Sequence, residues 1–441
     1  MRNSAMGHRP WRRALLWLLL LGPFFFLTYG FANWVASRRT GIGAIVFEWE
    51  HRVPFLSWTI LPYWSIDLLY AISLFICTTR RELDIHARRL LCAQIICVAC
   101  FLLFPLHYTF VRPATEGFFG LMFDALMGFD KPYNQMPSLH IALLIVIWVR
   151  YVRHVSGHAR WIVHAWAALI FVSVLTTYQH HFIDVPTGLW VGWFCVWLFP
   201  EHGRFPSFTL APLANTRRRT LALCYGGIAL IIGTISLRTG GWTLWLLWIS
   251  GSLALVATIY AFLEESAFQK NGNGSMSAAA HWLLAPYFAC AWLNARWWTR
   301  GLPAAHLIVP GLLLGRVLTP REREAHNIRA IVDMTAELPC NAKSVRYVNV
   351  PQLDLTDPSA AQIERAVAAI DSVFKDGPVL VCCALGFSRS AIAVAAWLVA
   401  TRRAADHSDA IAQIRRARPA VVINNVHVLA LERYAAGRAS S

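Results

Sequence analysis

The side chains best suited to covalent chemistry lie in one stretch of this chain, residues 379–390, which reads Val-Leu-Val-Cys-Cys-Ala-Leu-Gly-Phe-Ser-Arg-Ser. Within it, Cys383 and Arg389 are six residues apart. A cysteine thiol at the start of a helix has a depressed pKa and becomes a nucleophile. An arginine offers a planar fork to two phosphoryl oxygens. These are the two residue types that phosphoryl transfer through a cysteine nucleophile would use.

The elements predicted around this stretch would bring the two side chains together. The apolar run 379–381 predicts a buried strand and 390–400 predicts a helix, so residues 383–389 form the turn between them. Backbone N–H groups of a tight turn leading into a helix favour negative charge at one point. Gly386 allows a backbone conformation that a side chain would obstruct. The predicted phosphate-binding residues of the turn are Ala384, Leu385, Gly386, Phe387 and Ser388.

The string Cys383-Ala-Leu-Gly-Phe-Ser-Arg389-Ser390, set between strand and helix, resembles the signature loop of the cysteine-dependent dual-specificity phosphatases. The resemblance implies that Cys383 is the nucleophile, Arg389 holds the transition state and Ser390 assists departure of the thiolate. Cys382 stands where the family usually has histidine. The alternative interpretation is a pair of packing cysteines beside a surface arginine, because free cysteine is usually buried and inert.

A phosphatase of this kind also needs a general acid that protonates the leaving oxygen. The loop predicted within residues 348–358 offers two aspartates. Asp354 lies four residues before Pro358 and matches the family's pattern better, so it is the predicted acid, with Asp357 as the runner-up. In the alternative interpretation Asp357 caps the helix predicted at 359–374 and Asp354 is solvated.

A second set of polar residues lies beside apolar runs earlier in the chain. His180 and Asp184 are four residues apart and share one helical face, so Asp184 can orient one ring nitrogen while the other faces a substrate. His140 follows Pro137 at the start of a predicted helix, whose free N–H groups can receive phosphate.

These residues resemble the motifs of the type 2 phosphatidic acid phosphatase superfamily, which includes lipid phosphotransferases. Pro-Ser-x-His140 is similar to its second motif, and His180-x-x-x-Asp184 is similar to its third. The resemblance implies that His180 attacks phosphorus, Asp184 supports it and His140 protonates the leaving alcohol.

The first motif of that superfamily is only partly present. Arg112 fits its end and, with Ser138 of the second motif, is predicted to bind phosphate. Pro105 and Val174 stand where the family has two cations, which resembles the phosphotransferase branch or a divergent phosphatase. His181 is the alternative to its neighbour as the working residue, and ordinary core histidines are the alternative to a site.

The composition predicts a membrane protein, because 57% of the 441 residues are hydrophobic and 20 are tryptophan. The net charge is +16, and residues 1–300 carry 24 Lys and Arg against 12 Asp and Glu. This surplus flanks apolar runs and predicts contact with anionic lipids rather than nucleic acid. The predicted spans are 14–35, 55–79, 90–106, 139–152, 161–178, 187–199, 220–237 and 242–263.

The predicted organisation is multi-domain. A polytopic all-α membrane bundle of about eight spans (1–265) precedes a linker and an interfacial helix (266–301) and an α/β domain that resembles dual-specificity phosphatases (302–441). Alternating arginine clusters predict that both termini are cytoplasmic in the cell membrane and that segment 107–138 lies outside. The segment 276–298 keeps a ninth span as its alternative, and Asn-Gly-Asn-Gly-Ser at 271–275 predicts a flexible linker.

Together these features predict a membrane phosphatase for phosphomonoesters, in particular lipid phosphates, with a histidine site in the membrane and a cysteine site in the cytoplasm. Neither site needs a metal or a cofactor. The expected partners are membrane lipids and a lipid phosphate or phosphoprotein substrate. The alternatives are lipid phosphotransfer at the histidine site, or a flippase or anchor joined to a protein phosphatase.

Overall fold

The computed structural model describes residues 9–203, 205–210, 213 and 215–439, and the chain divides into two compact units, Met1–Phe205 and Pro206–Ser441. The described part of the first unit is mainly helical, as its apolar composition predicts. Its helices are α1 (Trp11–Ser37), α2 (Ile60–Phe75), α3 (Arg80–Leu103), α4 (Gly117–Phe129), α5 (Leu139–His154), α6 (His158–Thr176) and α7 (Asp184–Leu198).

Each of the eight predicted apolar runs forms a helix, but the helices differ in length. Among the described residues, five helical segments are long and apolar enough to cross a membrane: α1, α3, α6, α8 (Thr216–Thr239) and Gly241–Phe262, which contains α9 (Leu246–Phe262). Helices α2, α5 and α7 have 16, 16 and 15 residues, whereas a helix normal to the bilayer needs about 20. The number of about eight spans stays a prediction.

Helix α4 lies within residues 107–138, which the sequence predicts only as an extramembrane segment. It has 13 residues, and Phe123 and Leu126 are buried in the core of the first unit. A helix of this length can pack by burying a few side chains. Its apolar run is too short for the pattern that predicts a span, so the sequence did not indicate it.

Charged residues near the ends of α3, α5 and α7 form a buried ion network. Arg150, which is 0% exposed, pairs with Glu82 and, at 2.9 Å, with Glu201. Arg89 pairs with Glu201 at 3.0 Å and donates to the carbonyl oxygen of Phe199. Because a buried charge needs a partner, these arginines hold three helices together as well as contributing to the positive surplus.

The second unit continues from α8 and α9 through α10 (Ala278–Trp298) into an α/β domain. Its described strands form one sheet in the order β1-β2-β5-β3-β4, in which β1 is antiparallel to β2 and the other neighbours are parallel. The elements are β1 (Ala305–Val309), β2 (Leu312–Arg316), α11 (Pro320–Ala325), β3 (Ala330–Thr335), β4 (Arg346–Gln352), α12 (Ala360–Phe374), β5 (Val379–Cys383), α13 (Arg389–Ala400), α14 (His407–Ala417) and α15 (Asn425–Ala439).

Strand β5 is central in this sheet and is buried on both faces. Val379, Val381 and Cys383 pack in the core with α12 and α13, whereas Leu380 and Cys382 pack in the core on the opposite face. The alternation follows from the strand period of two. It places Cys383 at the carboxyl end of the central strand, where the chain turns into α13.

The segment 271–275 is a hydrogen-bonded turn. The backbone N–H of Asn271 donates to the carbonyl oxygen of Ser275 at 2.7 Å, and that of Cys340 donates to Gly274 at 2.8 Å. A Cβ atom on Gly274 would lie 1.8 Å from the Cys340 oxygen. The turn is therefore fitted to the α/β domain, whereas the sequence predicts a flexible linker.

Helix α10 follows this turn and carries a set of exposed aromatic side chains. Arg300 lies over the ring of Trp297 at 4.0 Å, and Arg296 over Trp292 at 5.4 Å. Tryptophan and arginine together are typical of a helix at a membrane interface, and that placement stays a prediction. The exposed tryptophans are Trp282, Trp292, Trp297 and Trp298.

Candidate active site

The loop between β5 and α13 surrounds the thiol of Cys383. Because β5 ends at Cys383 and α13 begins at Arg389, the predicted phosphate-binding residues 384–388 form the connection. The Sγ atom accepts hydrogen bonds from the backbone N–H of Gly386 and from the hydroxyl of Ser390, both at 3.2 Å. Donors aimed at sulfur stabilise a thiolate.

The loop can close in this way only with glycine at position 386. Gly386 has a φ of +72°, and a Cβ atom there would lie 2.4 Å from the carbonyl carbon of Gly315. A side chain would therefore meet both backbone strain and a clash with β2. This agrees with the expectation from the sequence.

The guanidinium of Arg389 is buried. Its hydrogen-bond acceptors lie near the carboxyl ends of β3 and β4. It donates to both carboxylate oxygens of Glu337, at 2.6 and 3.0 Å, and to the carbonyl oxygen of Gln352 at 2.8 Å. A third contact is to Oδ1 of Asp354, at 2.8 Å. Burial opposes the charge of Arg389, but the carboxylates of Glu337 and Asp354 outweigh it and raise the pKa of the guanidinium.

The structure separates the two candidate acids. Asp354 contacts Arg389, and its side chain is 38% exposed, so a substrate can reach the carboxyl group. Asp357 lies further along the loop, and α12 is capped by Ser359, whose hydroxyl accepts from the N–H of Gln362. The alternative in which Asp357 caps α12 is therefore wrong, because Ser359 occupies that position.

Arg418 holds the far side of the loop. Its guanidinium, which is completely buried, donates to the carbonyl oxygens of Leu385 at 3.1 Å and Gly386 at 3.0 Å. It also lies 5.6 Å from the ring centre of Phe387. Burial, aided by the nearby charge of Arg316, lowers the pKa of Arg418. Arg418 thus ties the loop at two carbonyl groups.

Cys382 plays no part in this arrangement. Its side chain points to the opposite face of the sheet, and burial followed by the charge of Asp333 raises the pKa of its thiol well above the ordinary value. The position before the nucleophile therefore faces away from Cys383, into the core on the other side of the sheet.

Glu337 and Gln352 are site residues that the sequence did not single out. Glu337 follows β3 and Gln352 ends β4. Since carboxyl ends of parallel strands meet at one edge of a sheet, a carboxylate just after β3 was the available signal. Which residue on that edge meets Arg389 depends on the fold.

Residues 316–436 match the model of the dual specificity phosphatase catalytic domain. The chain therefore carries a dual specificity phosphatase domain. It is a phosphoric monoester hydrolase.

Solved structures similar to this dual specificity phosphatase domain include three phosphatases. Tk-PTP in its active form is 26% identical, with 30% of this chain and 96% of that chain covered and a TM-score of 0.28. Human DUSP28 is 23% identical, covering 31% and 97%, with a TM-score of 0.29. PTPMT1 in complex with PI(5)P is 21% identical, covering 31% and 98%, with a TM-score of 0.29.

In the first unit, some residues of the second predicted site lie close together. His180 Nδ1 and Asp184 Oδ2 are 3.1 Å apart, and His140 and His180 both line a cavity of about 220 Å³. The ring of His140 stacks on Tyr63 at 4.1 Å. The other polar residues that line the cavity are Tyr29, Asp67, Asp130 and Asn134.

The remaining predicted residues of that site lie elsewhere or have local partners. Arg112 lies over the ring of Phe123 at 4.4 Å, and it is not among the described residues that line the cavity. Ser138 caps α5 by accepting from the N–H of Ile141. His181 contacts Glu50 through one ring nitrogen, at 3.2 Å. Of the two neighbouring histidines, His180 is the one that reaches the cavity.

Proposed function

We propose that the dual specificity phosphatase domain hydrolyses phosphomonoesters through Cys383, and that its substrates are phosphorylated membrane lipids. The observation that carries the first part is the pair of hydrogen bonds that Gly386 and Ser390 donate to the Cys383 sulfur, with the Arg389 fork in the same loop.

The reaction takes two steps. The Cys383 thiolate attacks phosphorus while the bond to the ester oxygen breaks, and Asp354 gives that oxygen a proton. Arg389 and the loop N–H groups hold the other phosphoryl oxygens, which stabilises the charge of the transition state. Water then attacks the phosphocysteine, its proton passes to Asp354, and sulfur leaves as a thiolate stabilised by Ser390.

Support for a lipid substrate comes from the neighbours of the loop. Ala384 and Leu385 pack in one cluster with Ala291 and Ala295 of α10, a helix with exposed tryptophans. A site bordered by such a helix accepts a headgroup presented from a bilayer. The loop residues include no lysine, so a monophosphate suits them better than a highly phosphorylated headgroup.

The test uses the full-length protein with His180→Ala, in phosphatidylcholine nanodiscs that contain phosphatidic acid. We expect phosphate release from the lipid, and its loss when Cys383→Ser is added, whereas Cys382→Ser retains most of it. Release from a soluble phosphotyrosine peptide without release from the lipid would overturn the lipid assignment in favour of a phosphoprotein substrate.

We further propose a phosphohistidine site in the first unit, formed by His180, Asp184 and His140. Its support is that both histidines line one cavity while Asp184 contacts the second nitrogen of His180. The described lining includes no lysine or arginine, which favours transfer to a lipid hydroxyl or a divergent hydrolysis over the usual lipid phosphatase arrangement. Free phosphate and labelled lipid as products distinguish the two reactions.

We place the phosphatase domain on the cytoplasmic side of the cell membrane, with both termini there. The support is the alternation of arginine clusters along the sequence and the need of a thiolate for a reducing compartment. An impermeant thiol reagent should then fail to label a cysteine introduced at position 406 in intact cells. Labelling from outside would contradict this orientation.

A further inference from the structure

The loop that carries Asp354 has a constrained backbone. Leu355, the next residue, has a φ of +57°, a left-handed conformation that costs free energy for a residue with a branched side chain. Within the loop, the hydroxyl of Thr356 donates to the carbonyl oxygen of Leu353 at 2.9 Å. A loop in such a conformation keeps its position only if its surroundings hold it.

Arg389 holds the side chain of Asp354, and the backbone of the loop is held by the apolar hairpin α8–α9. The hydroxyl of Tyr260, on α9, donates to the carbonyl oxygen of Asp354 at 3.0 Å. Nε of Arg217, on α8, donates to the carbonyl oxygen of Leu355 at 2.5 Å. Two successive carbonyl groups beside the proposed acid are thus bound by side chains from outside residues 302–441.

The hairpin fixes Tyr260 directly, and it fixes the start of α8, which carries Arg217, through the next residue. Tyr260 is 1% exposed, and its ring packs 5.6 Å from that of Tyr225. Arg218, next to Arg217, donates to the carbonyl oxygens of Ile259, Tyr260 and Leu263 at the end of α9. These bonds satisfy free carbonyl groups at the helix terminus, and they tie the start of α8 to the end of α9.

The hairpin also has a fixed position against the sheet. Lys270, eight residues after α9, places its ammonium 2.6 Å from Asp333 and donates to the hydroxyl and carbonyl oxygens of Thr335. Both side chains of the ion pair are buried, so breaking it would leave an uncompensated charge. The loop and β3 are therefore held by one continuous stretch of chain.

We propose that Tyr260 and Arg217 are positioning residues, which place the carboxyl group of Asp354 for proton donation and so make the apolar hairpin part of the phosphatase site. This inference rests on the proposed role of Asp354 as the general acid. It predicts that losing the Tyr260 hydroxyl harms the reactions that need an acid more than those that do not.

The test compares leaving groups on the full-length protein in nanodiscs. An alkyl phosphate needs a proton on its leaving oxygen, whereas a nitrophenyl phosphate leaves readily without one. For Tyr260→Phe we expect kcat on the alkyl ester to fall roughly tenfold more than kcat on the nitrophenyl ester. This effect is smaller than the roughly 10²-fold effect expected when the acid itself is removed. Arg217→Gln should show the same selectivity.

Matched controls separate this effect from a general loss of structure. Tyr225→Phe removes a hydroxyl from the same cluster, and Arg219→Gln removes a charge from an exposed neighbour on α8, so neither should change the alkyl-to-nitrophenyl ratio. Adding Tyr260→Phe to Asp354→Asn should have no further effect on that ratio, because the group being positioned is already gone.

Failure of the acid assignment and failure of the positioning role would give different kinetic results. If Asp354→Asn leaves the ratio unchanged, the acid assignment itself is wrong. If Asp354→Asn changes the ratio while Tyr260→Phe and Arg217→Gln lower both activities equally or not at all, the acid stands and the positioning role is overturned.

Discussion

Glu337 holds Arg389 by a two-point buried ion pair, with nitrogen–oxygen distances of 2.6 and 3.0 Å. A planar guanidinium bound at two points cannot rotate about its own axis. Glu337 therefore fixes the plane of the Arg389 guanidinium beside the loop that carries Cys383. The two residues are 52 positions apart in the chain, so the orientation depends on the pairing of β3 with β5.

Glu337→Gln should impair both stability and catalysis, because it removes one partner of a buried pair. We expect the free energy of unfolding to fall by about 3 kcal/mol and kcat/KM on an aryl phosphate to fall at least about tenfold, or about 1.4 kcal/mol in the barrier. Thermal unfolding and steady-state kinetics measure the two effects. The exposed Glu364 on α12 provides the control Glu364→Gln, and equal behaviour of both variants would contradict the role of Glu337.

Gly386→Ala should abolish most of the phosphatase activity. The new methyl group would have to occupy space 2.4 Å from a backbone carbon of Gly315, at a φ of +72°. The loop must then open, which removes the N–H of Gly386 from the Cys383 sulfur. Gly301→Ala is the matched control, since a Cβ there meets nothing within 4 Å. Activity above half of wild type for Gly386→Ala would show that the loop tolerates another conformation.

Glu322 should contribute stability that depends on pH. Burial raises its pKa, but hydrogen bonds from Thr319 and Arg316 outweigh that effect, so its pKa lies below the ordinary value of 4.5. A carboxyl group with a depressed pKa in the folded state stabilises fully above the unfolded value and loses that contribution as pH falls through the folded one.

Unfolding temperatures between about pH 3 and about pH 7, a range that brackets the ordinary pKa of 4.5, measure this contribution. Glu322→Gln should lower the unfolding temperature at pH 7 and reduce the further loss below about pH 4.5. Arg296, which lies 3.5 Å from Glu322, connects the same group to α10. An identical acid transition in wild type and variant would exclude this role.

The two neighbouring histidines should differ in the membrane reaction. His180→Ala should remove phosphate release or transfer at the proposed histidine site and leave hydrolysis of an aryl phosphate by Cys383 unchanged, because each unit supplies its own reacting groups. His181→Gln should retain most of the membrane reaction, because His181 contacts Glu50 and the cavity is lined by His180. Loss of both activities in His180→Ala would require a single mechanism that uses both units.

The strand, turn and helix around Cys383 were predicted well, because the signal for them is local. A strand, a turn with Gly386 and a helix follow one another within residues 379–400, and periodicity identifies such neighbours. Asp354, predicted as the acid from its distance from Pro358, lies 2.8 Å from Arg389. The roles of these residues stay proposals, while the phosphatase domain itself is confirmed by the family match.

Contacts between distant parts of the chain were not predictable in this way. Tyr260 and Asp354 are 94 residues apart. In the sequence, Tyr260 is simply an aromatic residue within an apolar run. Nothing in its sequence neighbourhood distinguishes it from Tyr225. Helix α4 was missed for a different reason, since its 13 residues are too few for the pattern of a span.

The ion pair of Lys270 with Asp333 sets an order for biosynthesis. Translation delivers Asp333 to the folding chain 63 residues after Lys270, when the hairpin before it has already left the ribosome. Until then the ammonium group has no carboxylate to meet, and an unpaired charge resists burial. The Lys270 ammonium therefore stays hydrated, and the hairpin can dock fully against the sheet only after β3 has been synthesised.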